Sequence, residues 1–433
     1  MKSKFSADGV CLQRLSFVAL VAGRKPTDVN QATALRVARG NSLSFIAAKW
    51  FSGLAVFLAA GVLAQAASPD IRRAKSDQGV SYWNERVAGV PWSIHVLKID
   101  RSRKDLAFVA ALARDKVLGV SMIADQARAV PAEIGKAIGG VNGDFYLRDN
   151  PTFAGDPRGL QIFNGDLVSG PSTVCVWFDA SGNPHLDDVK GDFTVTWPDG
   201  SKTPFGLNEQ RQRGMAVLYT ATYGPATRAI GGRELILEKD GTGPWLPLQP
   251  SQTYRARVRE ISTNGNTRLA AGAMVLSFPP QMLAALPAME AGSTLQISTA
   301  LTPDLKDVKT AIAGGPALIK DGKAFTLMNP PLGTSSDYSQ RSKYERHPRS
   351  SVGWSPTHIY LVTVDGRQPE LSVGMKLAEL AEVFVKLGCT DAMNFDGGKS
   401  AQMWMNGQIM NDPCQGEDTV ANSLLVVRKP EGR

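Results

Sequence analysis

The sequence predicts an α+β chain: a mixed, mostly β-sheet core with a few packed helices and a β-rich central insertion at about 190–310. Three observations carry that expectation. Short apolar runs bounded by turn pairs such as Asn164-Gly165, Asp199-Gly200 and Asp240-Gly241 recur along the chain, as strands joined by tight turns do. Helical spacing is sparse and is clearest at 376–387, where Leu377, Leu380, Ala381, Phe384, Val385 and Leu387 follow a period near 3.6 and Gly388 closes the run. That helix falls between an apolar strand at 358–364 and the segment Asn394-Phe395-Asp396, which places a strand–helix–strand element inside a mostly β fold.

The remaining elements follow in order. Residues 68–88 are polar and charged and read as a linker, and globular patterning begins near Gly89 and runs to about 429. Residues 106–112 form a strand, and 121–129 start a helix. Residues 159–168 give two short strands turning at Asn164-Gly165. In the middle, 274–278 and 294–299 continue the β pattern. A strand at 311–320 passes through Asp321-Gly322 into another. Residues 334–345 are Ser/Tyr-rich and read as a polar surface loop. After the helix come 402–404, the Asn406-Gly407 turn and a last strand at 423–427.

The net charge of +8 is misleading. Residues 1–67 hold eight Lys/Arg against two acids, a charge of +6, while the other 40 bases face 38 acids, a charge of +2. Nucleic-acid binding therefore loses its only support. The basic leader runs into an uncharged stretch at 50–67 that ends in Ala64-Gln65-Ala66, the form of an export signal cut after Ala66. It is long for a signal. Either translation starts downstream of Met1 or the segment stays as a membrane tether. The expected location is periplasmic or secreted. Outside the leader, Cys175 reads as a buried strand residue, and Cys389 and Cys414 could pair in an exported chain. No Cys/His spacing fits zinc.

The best lead to chemistry is Asn394-Phe395-Asp396-Gly397-Gly398-Lys399-Ser400, together with a second Asn-x-Asp at Asn142-Gly143-Asp144. In extended chain, residues i and i+2 point to one face, so each segment could bring an amide and a carboxylate to a common cleft. Paired glycines let a backbone approach a ligand and aim N–H groups at an anion. The end of the first segment, Gly398-Lys399-Ser400, is not a phosphate-binding P-loop, because Met393 stands where that loop needs its first glycine. No G-x-S-x-G surrounds Ser400 to make it a nucleophile. A third cluster, Arg346-His347-Pro348-Arg349, offers guanidinium forks for phosphate oxygens and a histidine that could donate a proton. Asp365-Gly366 by itself reads as a turn, with Arg367 the more telling neighbour. His95, His185 and His358 have no partners in sequence and read as structural.

Together these segments resemble a known family. Gly139-Gly140-Val141-Asn142-Gly143-Asp144-Phe145-Tyr146 is similar to the I-N-G-G-F-F segment of the phosphodiester glycosidases. Residues 346–353 resemble its R-x-P-R-T-A-I-G, residues 364–367 its V-D-G-R, and residues 391–403 its A-x-N-L-D-G-G-G-S-S-T-M. The match runs in order over about 138–427. Asp144 stands where that family has glycine, Lys399 replaces a third glycine, and Ala401-Gln402 replaces a Ser-Thr pair.

The resemblance implies an exported hydrolase that breaks the anomeric C–O bond of a sugar 1-phosphodiester of the N-acetylglucosamine type. It implies that Asp396 activates water or attacks the anomeric carbon, with Asp365 or Asp144 as its partner. Arg349, Arg367 and Lys399 would stabilise the departing phosphate, with Arg346, His347, Gly397, Gly398 and Ser400 around the substrate. Asn142 and Asn394 would hold sugar hydroxyls or the carboxylates. No cofactor is required. Ca²⁺ is a possible oxygen-liganded ion, although no EF-hand-like loop is present. The expected partner is a sugar phosphate or glycan. Another cell-envelope or exopolysaccharide hydrolase and a non-catalytic glycan-binding protein remain as alternatives.

Overall fold

In the strand Val80–Val87, Val80, Tyr82 and Asn84 are buried and the residues between them only half-buried, the period-two pattern of a one-sided sheet. The structure, a computed structural model, describes residues 70–87, 89–325 and 342–430. The basic leader, its export signal and most of the expected polar loop at 334–345 lie outside the described residues. The expected linker at 68–88 is corrected here. Asp70–Asp77 and Val80–Val87 form an antiparallel pair, and the second strand pairs with Trp92–Asp100. Charge count hid the alternation that makes this segment a strand.

These strands open an eight-stranded sheet that continues through His358–Val364, Arg349–Trp354, Asp391–Asn394 and Ala317–Lys320 to the short Lys323–Ala324. A five-stranded sheet runs Gln408–Ile409, Met403–Met405, Lys136–Asn142, Asn422–Arg428, Leu106–Leu112. Leu97, Val352, Leu361 and Met393 of the first sheet meet Phe108, Val141, Met403 and Leu424 of the second in one buried core. Each such side chain contributes roughly 1.5–3 kcal/mol by leaving water. The two sheets approach closely at Gly139, where an added Cβ would stand 2.7 Å from Leu97 Cδ2. Helix α1 (Ile123–Ala129) covers the outer face of the smaller sheet. Helix α2 (Leu377–Lys386) buries Leu377, Leu380, Ala381 and Phe384 on the outer face of the larger one. Mostly β with few helices is thus what the chain forms.

One feature was not legible in the sequence. Lys190–Thr196, Lys202–Leu207, Ala216–Tyr219, Met274–Phe278, Arg233–Lys239, Thr253–Ser262 and Thr294–Thr302 close into a barrel. Closure rests on pairing the first of these with the last, residues about a hundred positions apart, which local alternation cannot reveal. The chain leaves for the barrel from Pro184–Asp187 and returns at Thr310–Ala313. Both belong to a second five-stranded sheet, with Asp166–Ser169, Gln161–Phe163 and Cys175–Phe178. The strand expected at 311–320 is therefore two, Thr310–Ala313 and Ala317–Lys320, in different sheets. Gly314-Gly315-Pro316 divides them, because Gly315 has φ +131° and proline has no N–H for a ladder. The disulfide considered between Cys389 and Cys414 is absent; Cys175, Cys389 and Cys414 are all free thiols.

Candidate functional site

Two strands from different sheets end side by side. Lys136–Asn142 runs out into Gly143-Asp144, and Asp391–Asn394 runs out into Phe395-Asp396. Phe395 is fully buried and anchors the second exit. The exits are stitched together: Asn142 Nδ2 donates to the Asp396 carbonyl at 2.7 Å, and the Asp396 N–H donates to the Gly143 carbonyl at 3.0 Å. The two Asn-x-Asp segments thus do meet, but the four side chains do not share one cleft. Asn394 and Asp396 line a cavity of about 770 Å³. Asn142 is spent on the stitch, its Oδ1 also accepting the Gln402 N–H at 3.1 Å.

Asp144 is buried behind this point. Its two carboxylate oxygens accept the backbone N–H groups of Phe145 and Gly159, each at 2.8 Å. Burial pushes its pKa up to about 7 against those two donors, and the nearby charge of Asp396 adds to the rise. Asp396 faces the cavity. Burial raises its pKa as well, while the Ser400 hydroxyl, the Arg148 cation and the Gly397 N–H, 2.9 Å from Oδ1, oppose the rise.

The glycine pair works differently from the expectation that it would offer N–H groups to an anion. The Gly397 N–H goes to Asp396 and the Gly398 N–H to the Pro348 carbonyl at 2.9 Å, so both donors are used internally. Close approach explains the pair instead. A Cβ on Gly397 would stand 2.5 Å from the Pro348 oxygen, and Gly398 has φ +63°.

Positive charge dominates the wall. Arg148, Lys343, Arg349, Arg367 and Lys399 line the cavity against only two acids, Asp149 and Asp396. Arg349 is buried at the start of its strand. Its Nε donates to the Met375 carbonyl at 2.9 Å and its Nη2 to the carbonyls of Ser342 and Glu345 at 2.5 and 3.0 Å, so it also holds the wall in shape. Arg367, at φ +58°, lies 3.3 Å from His347 Nδ1 through Nη2. Burial, together with the cations of Arg349 and Arg367, lowers the pKa of His347 and favours its neutral form. Lys399 is exposed at the mouth.

Like Asn142 and Asp144, two further expected residues do not reach the cavity. Arg346 pairs outward with Glu379 of α2, 2.5 Å from Nη2 to Oε1. Asp365 is fully buried. It binds His95 Nε2 at 2.8 Å, the Ser93 hydroxyl at 2.7 Å, Asn411 Nδ2 at 3.1 Å and the Asp412 N–H at 2.9 Å. Burial would raise its pKa, but those partners bring it below the ordinary carboxylate value. That network has the form of a structural anchor, and the chain turns at Gly366 so that Arg367 alone faces the cavity. Among the described residues, no group of three or more His, Cys, Asp or Glu side chains could hold a metal ion.

Sequence reasoning placed Tyr146 in a matched segment without giving it a role and passed over Arg148 and the pair Gly314-Gly315, all of which line the cavity. Arg148 donates to the Tyr146 hydroxyl at 2.6 Å and to Ser400 Oγ at 2.9 Å, and its guanidinium lies 5.2 Å from the Tyr146 ring centroid. The available signal was position, since both residues follow the Asn142-to-Asp144 segment directly.

Comparison with known proteins bears on this site. The model of the phosphodiester glycosidase family matches residues 251–427, which include Arg349, Arg367 and the whole of 394–400. This region belongs to the phosphodiester glycosidase family. The general activity that goes with the domain is hydrolysis of phosphodiester glycosides. An uncharacterized prophage-derived protein of Bacillus subtilis, YomE, is 28% identical over 127 residues, or 29% of this chain. The matched part spans only 18% of that relative's length. A hypothetical protein from Synechocystis has TM-score 0.65 at 20% identity, covering 84% of this chain and 64% of that one. A Burkholderia pseudomallei protein described as exported has TM-score 0.59 at 23% identity, covering 79% and 74%. These likenesses establish the fold.

Proposed function

We propose that this phosphodiester glycosidase domain hydrolyses a sugar 1-phosphodiester of the N-acetylglucosamine type at the anomeric C–O bond, and that it acts outside the cytoplasm. The observation that carries the reading is Asp396, a carboxylate on the wall of a cavity where cations outnumber acids five to two. A phosphodiester leaving group is a weak base, so it needs charge stabilisation more than protonation. Arg148, Arg367 and Lys399 supply that charge, with Arg349 behind them. Ionised Asp396 faces the anomeric carbon, as base toward water or as nucleophile. Asn394 lines the same cavity, where its Nδ2 donates to the carbonyls of Gly315 and Phe395 and so holds the wall beside the sugar. Asp144, with both oxygens tied to backbone, sets the position and charge of the exit without touching substrate. Export rests on the leader sequence.

The test is to incubate the full chain with methyl α-N-acetylglucosaminyl phosphate and measure free sugar beside Asp396→Asn. Release by the wild type and its near-complete loss in the variant are expected. Equal release by both removes Asp396 from the reaction. No release from any of several sugar 1-phosphodiesters ends the hydrolase reading.

A further inference from the structure

A second cavity, of about 390 Å³, lies against the barrel and is lined by Phe193, Phe205, Met215 and Met282. Its wall continues that of the first. Ser172 lines the barrel groove and the adjacent Thr173 lines the Asp396 cavity. Arg158 lines the groove too, and the next residue, Gly159, donates its N–H to Asp144. The two segments that contribute to this wall touch each other. Ser172 Oγ donates to the Arg158 carbonyl, and a Cβ on Gly159 would stand 2.8 Å from Thr173 Oγ1 and 3.5 Å from Ser172 Oγ.

The chemistry of the groove differs from that of the cavity. Its walls are aromatic, thioether and proline surface with glycines between, and Phe193 and Phe205 stack at 5.9 Å between centroids. Its one acid, Glu209, is half-buried, and burial raises its pKa. Met215 and Met282 are only partly covered, which leaves adaptable apolar surface facing the groove. A cationic cavity that suits a phosphate thus opens beside an apolar one across the contact between these segments.

We infer that the barrel groove is a subsite for an apolar alkyl chain on the far oxygen of the phosphodiester, so that the substrate is a sugar phosphate esterified to a lipid-like alcohol. This rests on the function proposed above and goes beyond it by naming the leaving group. The phosphate sits among the cations, and the chain crosses the Arg158–Ser172 contact onto Met215 and Met282. A short, polar alcohol leaves the groove unused.

The experiment compares methyl, butyl and hexyl esters of α-N-acetylglucosaminyl phosphate on the full chain, with Met215→Glu and Met282→Glu. The readout is the ratio of kcat/KM for hexyl over methyl, which general damage to a variant does not move. The wild-type ratio is expected to be about tenfold or more, since each buried methylene adds to binding, and to fall toward one in both variants. A wild-type ratio near one, or variants that keep the wild-type ratio, overturns the subsite. If no ester is hydrolysed, calorimetric binding of hexyl phosphate against methyl phosphate separates the two proposals. Tighter hexyl binding that Met215→Glu abolishes keeps the subsite while the hydrolase reading falls, and equal binding removes the subsite as well.

Discussion

Arg148 donates from Nη2 to Ser400 Oγ at 2.9 Å, and the Ser400 hydroxyl is in turn bonded to Asp396. A cation from the loop after the first Asn-x-Asp segment therefore reaches, through one hydroxyl, the carboxylate of the second. Asp396 is pushed up by burial and drawn down by this pair.

The consequence for catalysis has a definite sign. In the proposed reaction Asp396 acts ionised, so whatever stabilises its charge would extend activity to lower pH. Arg148→Ala removes such a group and raises the Asp396 pKa further. The acid limb of kcat/KM against pH is expected to move to higher pH, with a loss of roughly a hundredfold near neutrality from the missing phosphate contact. A loss of the same size at every pH would assign Arg148 to phosphate alone.

Asp365 makes the opposite prediction. Asp365 is the shared buried acceptor of Ser93 and Asn411 and lies 2.8 Å from His95 Nε2, so its removal leaves buried polar groups without a partner. Asp365→Ala is expected to cost about 1–3 kcal/mol of folding stability for each buried group left unsatisfied, read as a lower denaturation midpoint in urea. A variant as stable as the wild type but inactive would return Asp365 to the chemistry.

The contrast between Asp365 and Arg367 shows what a linear motif reveals and what it hides. Residues 364–367 were legible as a motif. Which of its side chains enters the site is decided by Gly366, packed against Pro348 and Gly374, and by the positive φ of Arg367. The Asn394-to-Ser400 segment was legible because its residue types are unusual together. Arg148 was not, because an arginine in a polar loop has no local mark and gains its role only through the distant Ser400. The strands followed from alternation, whereas the barrel needed pairing between residues about a hundred positions apart.

Lys399 stands where the family pattern has glycine, and its side chain is exposed at the cavity mouth. A surface lysine of this kind carries little folding energy, within about 0.5 kcal/mol. Lys399→Ala is therefore expected to unfold at the wild-type temperature while KM for a phosphodiester rises several-fold. The rise should shrink as salt is added, since exposed charges are screened. An unchanged KM at low salt would make the lysine incidental.

Three buried aspartates give the protein a stability profile that can be tested without any substrate. Burial raises Asp144 and Asp156 to about 7 and Asp166 to about 6. In the unfolded chain all three return to the ordinary value near 3.9. Between about pH 4 and pH 7 the folded protein therefore holds protons that the unfolded chain has released. Its stability falls as pH rises through that window and levels off above it. Asp156 isolates the effect, because its Oδ1 is buried without a partner while Oδ2 accepts the Gln210 N–H at 3.1 Å. Asp156→Asn keeps that acceptor and removes the charge. The variant is expected to match the wild type in melting temperature near pH 4 and to exceed it near pH 8. Equal melting temperatures at pH 8 would mean that Asp156 ionises at no cost in the folded protein.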